Sequence, residues 1–99
     1  MKNESNKVQN YVLSKRFKKD ITNLSKSHPE ILISKRFTEV FNLLINGKPL
    51  PEIYKDHALS GNMQGIRDCH IYNDLILLYE IKEDVISFIR LGSHSELFD

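Results

Sequence analysis

One cysteine, Cys69, leaves the chain without a partner for an internal disulfide, so nothing argues for an oxidising compartment. Long apolar runs are missing as well. The longest, Leu75 to Tyr79, has five residues, against the roughly 20 that a bilayer-spanning helix needs. The opening residues, Met1-Lys2-Asn3-Glu4-Ser5-Asn6, are polar, and no apolar core of a signal peptide follows them. Repeats and low-complexity segments are absent, and no His-x-x-x-His or Cys-x-x-Cys spacing occurs. These absences predict a cytoplasmic protein that makes no use of a membrane. The 99 residues fit one domain spanning 1–99, a length that buries roughly 60–70% of its unfolded surface without staples. Residues 1–8 read as a disordered tail.

Charge is present in ordinary amount but unevenly placed. Residues 1–50 hold ten Lys/Arg against four Asp/Glu, and residues 51–99 hold four against nine, so the halves carry +6 and −5. Such a split suggests one basic face suited to a polyanion. The alternative is that lysine-rich helices are simply solvated.

Apolar spacing divides the chain at the same place. Tyr11-Val12-Leu13 is a short β-prone run suited to an edge strand. Leu13, Phe17, Ile21 and Leu24 then recur at the spacing of one helical face, with Ser14 as N-cap. Ser27 and Glu30 have the spacing of a capping box, and Pro29 sits in the first turn of a second helix. Its stripe is Ile33, Phe37, Val40, Phe41 and Leu44, and Gly47, Pro49 and Pro51 stop it. From there the period becomes two. Gly65 to Ile71, Leu75 to Ile81 and Val85 to Leu91 read as strands, joined by Tyr72-Asn73-Asp74 and Lys82-Glu83-Asp84. The prediction is an α+β fold: an N-terminal helical hairpin on one face of a small antiparallel sheet, with the other face open to hold a site. Ser93 and Glu96 again have capping-box spacing, so the chain should close with one helical turn carrying His94 and Phe98. A single turn is unstable alone. Its side chains must therefore be held by the rest of the domain.

Chemistry-bearing residues gather in the β half. His57, His70 and His94 lie there, whereas His28 sits in the link between the helices. Imidazoles titrate near neutral pH, so a pair can serve as base and acid without a metal. In an antiparallel meander His57, His70, Asp74 and His94 can converge at one end of the sheet. Arg67 and Arg90 are the two arginines able to offset charge on a crowded phosphate. Plainer readings stand beside these. A lone histidine is more often a hydrogen-bonding surface residue, Asn73-Asp74 is also turn chemistry, and Phe98 can be a core plug. Three imidazoles and a carboxylate also invite a zinc site. Composition and spacing alone lead to a small α+β domain with a candidate acid–base site.

Four segments carry a resemblance. Asp56-His57-Ala58-Leu59-Ser60-Gly61, Gly65-Ile66-Arg67-Asp68-Cys69-His70-Ile71, Asp74-Leu75-Ile76-Leu77-Leu78-Tyr79 and Arg90-Leu91-Gly92-Ser93-His94-Ser95-Glu96-Leu97-Phe98 resemble the YafQ-type branch of the RelE toxin superfamily. Order and spacing match through about residues 50–99, while the helical half agrees in pattern only. The resemblance implies a type II toxin: a ribosome-dependent endoribonuclease that cuts mRNA in the decoding site, needs no cofactor, and is neutralised by a cognate antitoxin. The complex would reach operator DNA through that antitoxin. The family's active-site histidines match His57, His70 and His94, its aspartate Asp74, its arginine Arg90 and its C-terminal aromatic Phe98. Family members often carry Trp after the aspartate where this chain has Leu75, so Tyr72 is expected to supply the stacking platform.

The implied mechanism is attack of a ribose 2′-OH on the adjacent phosphate. Arg90 would stabilise the phosphate and His94 would act as acid, with His57 or a His70–Asp74 pair as base; Arg67, Tyr72 and Phe98 would contact substrate. A net −5 around the reacting half attracts RNA poorly. Lys15, Arg16, Lys18 and Lys19 on the first helix are therefore expected to dock ribosomal RNA. The rivals are a catalytically inactive antitoxin-binding protein and a histidine-based metal site.

Overall fold

A computed structural model describes residues 10–98, and the tail expected at 1–8 lies outside them. Strand β1 (Asn10–Leu13) leads into helices α1 (Lys15–Ser27), α2 (Pro29–Leu32) and α3 (Lys35–Ile45). A 3₁₀ turn at Glu52–Tyr54 precedes β2 (His57–Ala58), and a second at Gly61–Met63 follows it. Then come β3 (Arg67–Tyr72), β4 (Leu75–Lys82), β5 (Val85–Gly92) and α4 (His94–Phe98). The expected α+β architecture is present.

The sheet runs β1-β5-β4-β3-β2. The three long strands pair antiparallel as the short turns demand, but β1 lies parallel to β5, from Asn10 opposite Val85 to Leu13 opposite Phe88. The sheet is therefore mixed rather than wholly antiparallel. A parallel neighbour needs a long crossover. Here the helices and the β3–β4 hairpin all lie between β1 and β5.

Ser14 couples the helical layer to the sheet. Its Oγ accepts from the Phe17 amide (2.9 Å) as N-cap and donates to the Ile89 carbonyl (2.7 Å), while its own amide donates to the Phe88 carbonyl (3.0 Å). Phe17 then stacks on Phe88 at 5.6 Å, and Phe41 tilts against Phe88 at 5.0 Å. Val40, Cys69, Ile71, Leu77, Tyr79, Ile86 and Leu91 complete the buried layer between helices and sheet.

The second helix departs from the sequence reading. It breaks after Leu32 and restarts at Lys35, because Ser34 both closes and opens a helix. Its Oγ donates to the Ile31 carbonyl (2.7 Å) and accepts from the Phe37 amide (3.3 Å). Ile33, expected in the apolar stripe, is 83% exposed at this break. Ser27 makes no capping box; its hydroxyl donates back to the Asn23 carbonyl (3.2 Å), and His28 occupies the N-cap, its ring paired with Glu30 (3.3 Å) rather than capping a backbone amide.

Alternation along β3 sorts the two faces. Cys69 and Ile71 point into the helical layer, so Asp68 and His70 point away from it. Asp68 is paired with His57 and Leu78, and His70 with Ile76; residues paired across strands share a face. Ile76 and Leu78 are buried and give that second face an apolar floor.

Candidate active site

Three segments each carry an imidazole, and one buried carboxylate lies beside the first of them. His57 comes from the edge strand β2, His70 from β3, and His94 from the first residue of α4. The carboxylate is Asp68, only 4% exposed. Its burial pushes the carboxyl above the ordinary value; the imidazole of His57, then that of His70, opposes the rise, while Asp56 adds to it. His57 thus stands 3.0 Å from this buried acid, and His70, two positions on along β3, shares its sheet face away from the helices.

The His57 ring has a defined orientation. Its Nδ1 lies 2.9 Å from the Lys55 carbonyl and 3.0 Å from Asp68 Oδ1. A carbonyl only accepts, so Nδ1 carries the proton, and Nε2 is left with the lone pair. The proton points at Lys55. Asp68 Oδ1 stands beside it without an aligned hydrogen bond of its own, the one buried side-chain polar atom among the described residues left in that condition.

His94 is held through its backbone. The capping box expected at the chain end is present and reciprocal: the Ser93 amide donates to Glu96 Oε1 (2.8 Å), and the Glu96 amide donates to Ser93 Oγ (3.2 Å). Asp74 Oδ1 accepts from the His94 amide (2.8 Å), tying the β3–β4 turn to α4. Among the described residues Asp74 has no hydrogen bond to His70, so the expected His70–Asp74 pair is not formed. Phe98 lies one turn on, its ring 5.0 Å from that of His94 and tilted by 41°. The close approach at Gly92 matters here. A Cβ on that residue would stand 2.7 Å from Glu96 Oε1, the oxygen that closes the box.

Arg90 starts on the site face, opposite Leu78, but its guanidinium reaches α1. Nε and Nη2 donate to the two oxygens of Asp20 at 2.9 and 3.3 Å, and the Leu91 amide donates to the same carboxylate at 2.9 Å. The hydrogen bond to Asp20 pushes the Arg90 guanidinium above its ordinary value. Two of its five N–H groups are thus engaged and three remain.

Two expected substrate contacts lie elsewhere. Arg67 shares the helix-side face with Cys69 and is paired with Asp56 through Nε (3.3 Å) and Nη2 (3.1 Å). The face alternation of β3, which brings Asp68 and His70 to the site, is what takes Arg67 away from it. Tyr72 packs against the helix-side core, with the Arg36 guanidinium 5.1 Å from its ring centre. It lines a cleft of about 430 Å³ together with Asp74 and Ser93, and none of His57, His70 and His94 lines that cleft.

Lys15, Arg16, Lys18 and Lys19 are exposed along α1, and none is in an ion pair among the described residues. Arg16 and Lys19 also line a cleft with Arg90 and Glu96, so the basic face runs up to the edge of the site. Asp68 is the residue that sequence reasoning passed over. Its signal was available: two positions before His70 in a strand, it had to share that histidine's face.

Comparisons with known proteins bear on the family and the fold. The family model described as "Bacterial toxin of type II toxin-antitoxin system, YafQ" matches residues 9–99. The mRNA interferase toxin YafQ of Escherichia coli K12 is 37% identical over 86 residues, covering 86% of this chain and 90% of that one. The E. coli DinJ–YafQ toxin–antitoxin complex superimposes with a TM-score of 0.82 at 34% identity, over 94% of this chain and 100% of its counterpart. A copper-bound mutant toxin from Helicobacter pylori also gives 0.82, at 38% identity, over 91% and 99%. In both structures the match spans the helices as well as the strands. The chain belongs to the YafQ family of bacterial type II toxin–antitoxin toxins.

Proposed function

We propose that this toxin is a ribosome-dependent endoribonuclease that cuts mRNA without a metal ion, and that a cognate antitoxin silences it in the cytoplasm. The observation that carries the reading is the His57 ring held 3.0 Å from the buried Asp68 carboxylate, with His70 on the same sheet face and the His94 backbone tied to the β3–β4 turn through Asp74. His57 is the general base. Its Nδ1 proton is directed at Lys55, which leaves Nε2 free to take the proton of the ribose 2′-OH, and Asp68 stabilises the imidazolium that results. The 2′-oxygen then attacks phosphorus and the bond to the 5′-oxygen breaks. His94, positioned by Asp74 and the capping box, returns a proton to that leaving oxygen. Arg90 offers its three uncommitted N–H groups to the crowded phosphate. Phe98 supports the His94 ring and presents a face to a base, and His70 lines the same sheet face as Asp68.

Docking falls to the first helix. Lys15, Arg16 and Lys18 occupy the first turn of α1, which carries no acid. A cation at a helix N-terminus costs about 0.3–1 kcal/mol against the dipole. Three of them there favour a role outside the fold, and ribosomal RNA is the polyanion proposed. The antitoxin would bind as in the E. coli complex, and operator DNA would be reached through it. The test is primer extension on a translated message with and without ribosomes. Cleavage at defined positions only with ribosomes, lowered by about 10²–10⁴-fold in His94→Ala, is the expected result; an active His94→Ala removes the acid assignment. Growth arrest on expression without antitoxin separates this reading from an inactive antitoxin-binding protein.

One observation favours a second reading, a metal site: the H. pylori relative was solved with copper. Imidazole nitrogens and a carboxylate suit copper or zinc, yet among the described residues no three His, Cys, Asp or Glu side chains are placed to share an ion. The acid–base reading therefore ranks first, and equilibrium dialysis against copper(II) and zinc tests the other.

A further inference from the structure

The chain has a second polar cluster, on the opposite face of the sheet from the histidines. Asp56 accepts from Nε and Nη2 of Arg67 at 3.3 and 3.1 Å, and from the hydroxyl of Tyr79. Tyr79 is buried, and Arg67 stands opposite both Ala58 on β2 and Tyr79 on β4. The hydrogen bond to Asp56 pushes the Arg67 guanidinium above its ordinary value. We propose that Asp56 is a positioning residue for His57: clamped from the helix side by Arg67 and Tyr79, it fixes where β2 sets the imidazole on the other face. This rests on the assignment of His57 as general base.

Little else holds His57 in place. Strand β2 has two residues, lies at the sheet edge and makes two register pairs, His57 with Asp68 and Ala58 with Arg67. An edge strand that short frays readily. Just before it, Lys55 is in the left-handed region at φ 50°, so the chain enters β2 through a kink. The carbonyl of that same Lys55 orients the His57 ring. Asp56 is the single residue between the two. Whatever fixes Asp56 therefore fixes both the carbonyl that chooses the tautomer and the Cα from which the ring projects. Residues from β3 and β4 close the clamp on the entry to β2, so β2 inherits the rigidity of both. Misplacing a catalytic group by about 1 Å can cost 10²-fold in rate, which gives a loose edge strand a large effect on chemistry.

Two variants test the clamp, Asp56→Asn and Tyr79→Phe. The second removes one hydroxyl and keeps the ring in place. The first readout is the His57 ring in long-range ¹H–¹⁵N spectra of the free protein. The wild type should show the Nδ1–H tautomer; both variants should lose it, with His70 and His94 signals unmoved. The second is single-turnover cleavage on ribosomes, which should fall about tenfold at unchanged ribosome affinity. In a His57→Ala background the Asp56→Asn change should cost less than about twofold more, because residues acting through one another are not additive. An unchanged His57 spectrum in both variants, or an equal loss in both backgrounds, overturns the proposal. Should the wild type cleave nothing on ribosomes, the nuclease reading fails alone, and the spectra still decide whether Asp56 sets the ring.

Discussion

Asp20 offers the sharpest test of how this site is held, because three bonds end on one carboxylate. It accepts from Nε and Nη2 of Arg90 and from the backbone amide of Leu91. The side chains of Asp20 and Arg90 are 10% and 20% exposed, so water replaces little of what Asp20→Ala would remove. Breaking a buried pair by deleting one partner costs about 3–5 kcal/mol, since the other charge is left uncompensated. Residual exposure of Arg90 places the expected loss near the lower end, about 3 kcal/mol. For a domain of this size each kcal/mol moves Tm by about 4–8 °C. Asp20→Ala should therefore melt at least about 12 °C below the wild type, and urea unfolding should show the same loss with an unchanged slope.

The double variant Asp20→Ala with Arg90→Ala separates support from chemistry. It removes both charges, so the uncompensated guanidinium disappears and stability should recover by about 1–2 kcal/mol relative to Asp20→Ala alone, leaving only the Leu91 amide without its partner. Cleavage should not recover with it if Arg90 faces the phosphate. A drop below about 1 kcal/mol in Asp20→Ala would refute the argument that this pair is desolvated. Cleavage that returns with stability in the double variant would reduce Arg90 to a strut.

Gly92→Ala should lose most cleavage and about 1 kcal/mol of stability, because its Cβ displaces the Glu96 oxygen that closes the capping box under His94; cleavage and a thermal melt on one preparation check it. Asp68→Asn should be more stable than the wild type at neutral pH and less active. The folded-state pKa of Asp68 lies above its unfolded value, so the native state holds the proton more tightly and stability falls as pH rises through the interval between them. Asparagine abolishes that slope, and melts at several pH values in the acid range read it directly. Lys18→Glu with Lys19→Glu should weaken ribosome binding and make its dependence on salt shallower by roughly 0.7–0.9 for each phosphate no longer neutralised; a filter-binding series across salt concentration that leaves affinity unmoved removes the docking role.

The parts legible in the sequence are those that local physics decides. Runs of period two joined by three-residue links can only form neighbouring antiparallel strands, so β3, β4 and β5 were readable. The Ser93–Glu96 box was readable because both partners lie within one turn. What sequence could not supply was the partner of a long side chain. Arg67 and Arg90 are the same letter in similar strands, yet one finds Asp56 at a separation of 11 residues and the other Asp20 at 70. The break at Ser34 was hidden for another reason. Ile33 fits the apolar stripe by spacing, and only the two bonds of the Ser34 hydroxyl, one to each helix, show that the stripe is interrupted.

The two faces of β3 give the physical ground for treating the histidine group as a site rather than as core polarity. On the helix side the charged groups are answered: Arg67 by Asp56, Asp56 by Tyr79, and Arg36 by the carbonyl of Ile71 and the rings of Tyr54 and Tyr72. On the other side a carboxylate oxygen is buried without an aligned partner, at a cost of roughly 1–3 kcal/mol. The His57 Nδ1 lies 3.0 Å from it, but its proton is directed at the Lys55 carbonyl. The chain is built to satisfy polar groups where they only hold the fold. It leaves one unsatisfied beside His57, and under the proposed mechanism, in which that imidazole becomes cationic as it takes the 2′-proton, Asp68 is the group that would receive the charge.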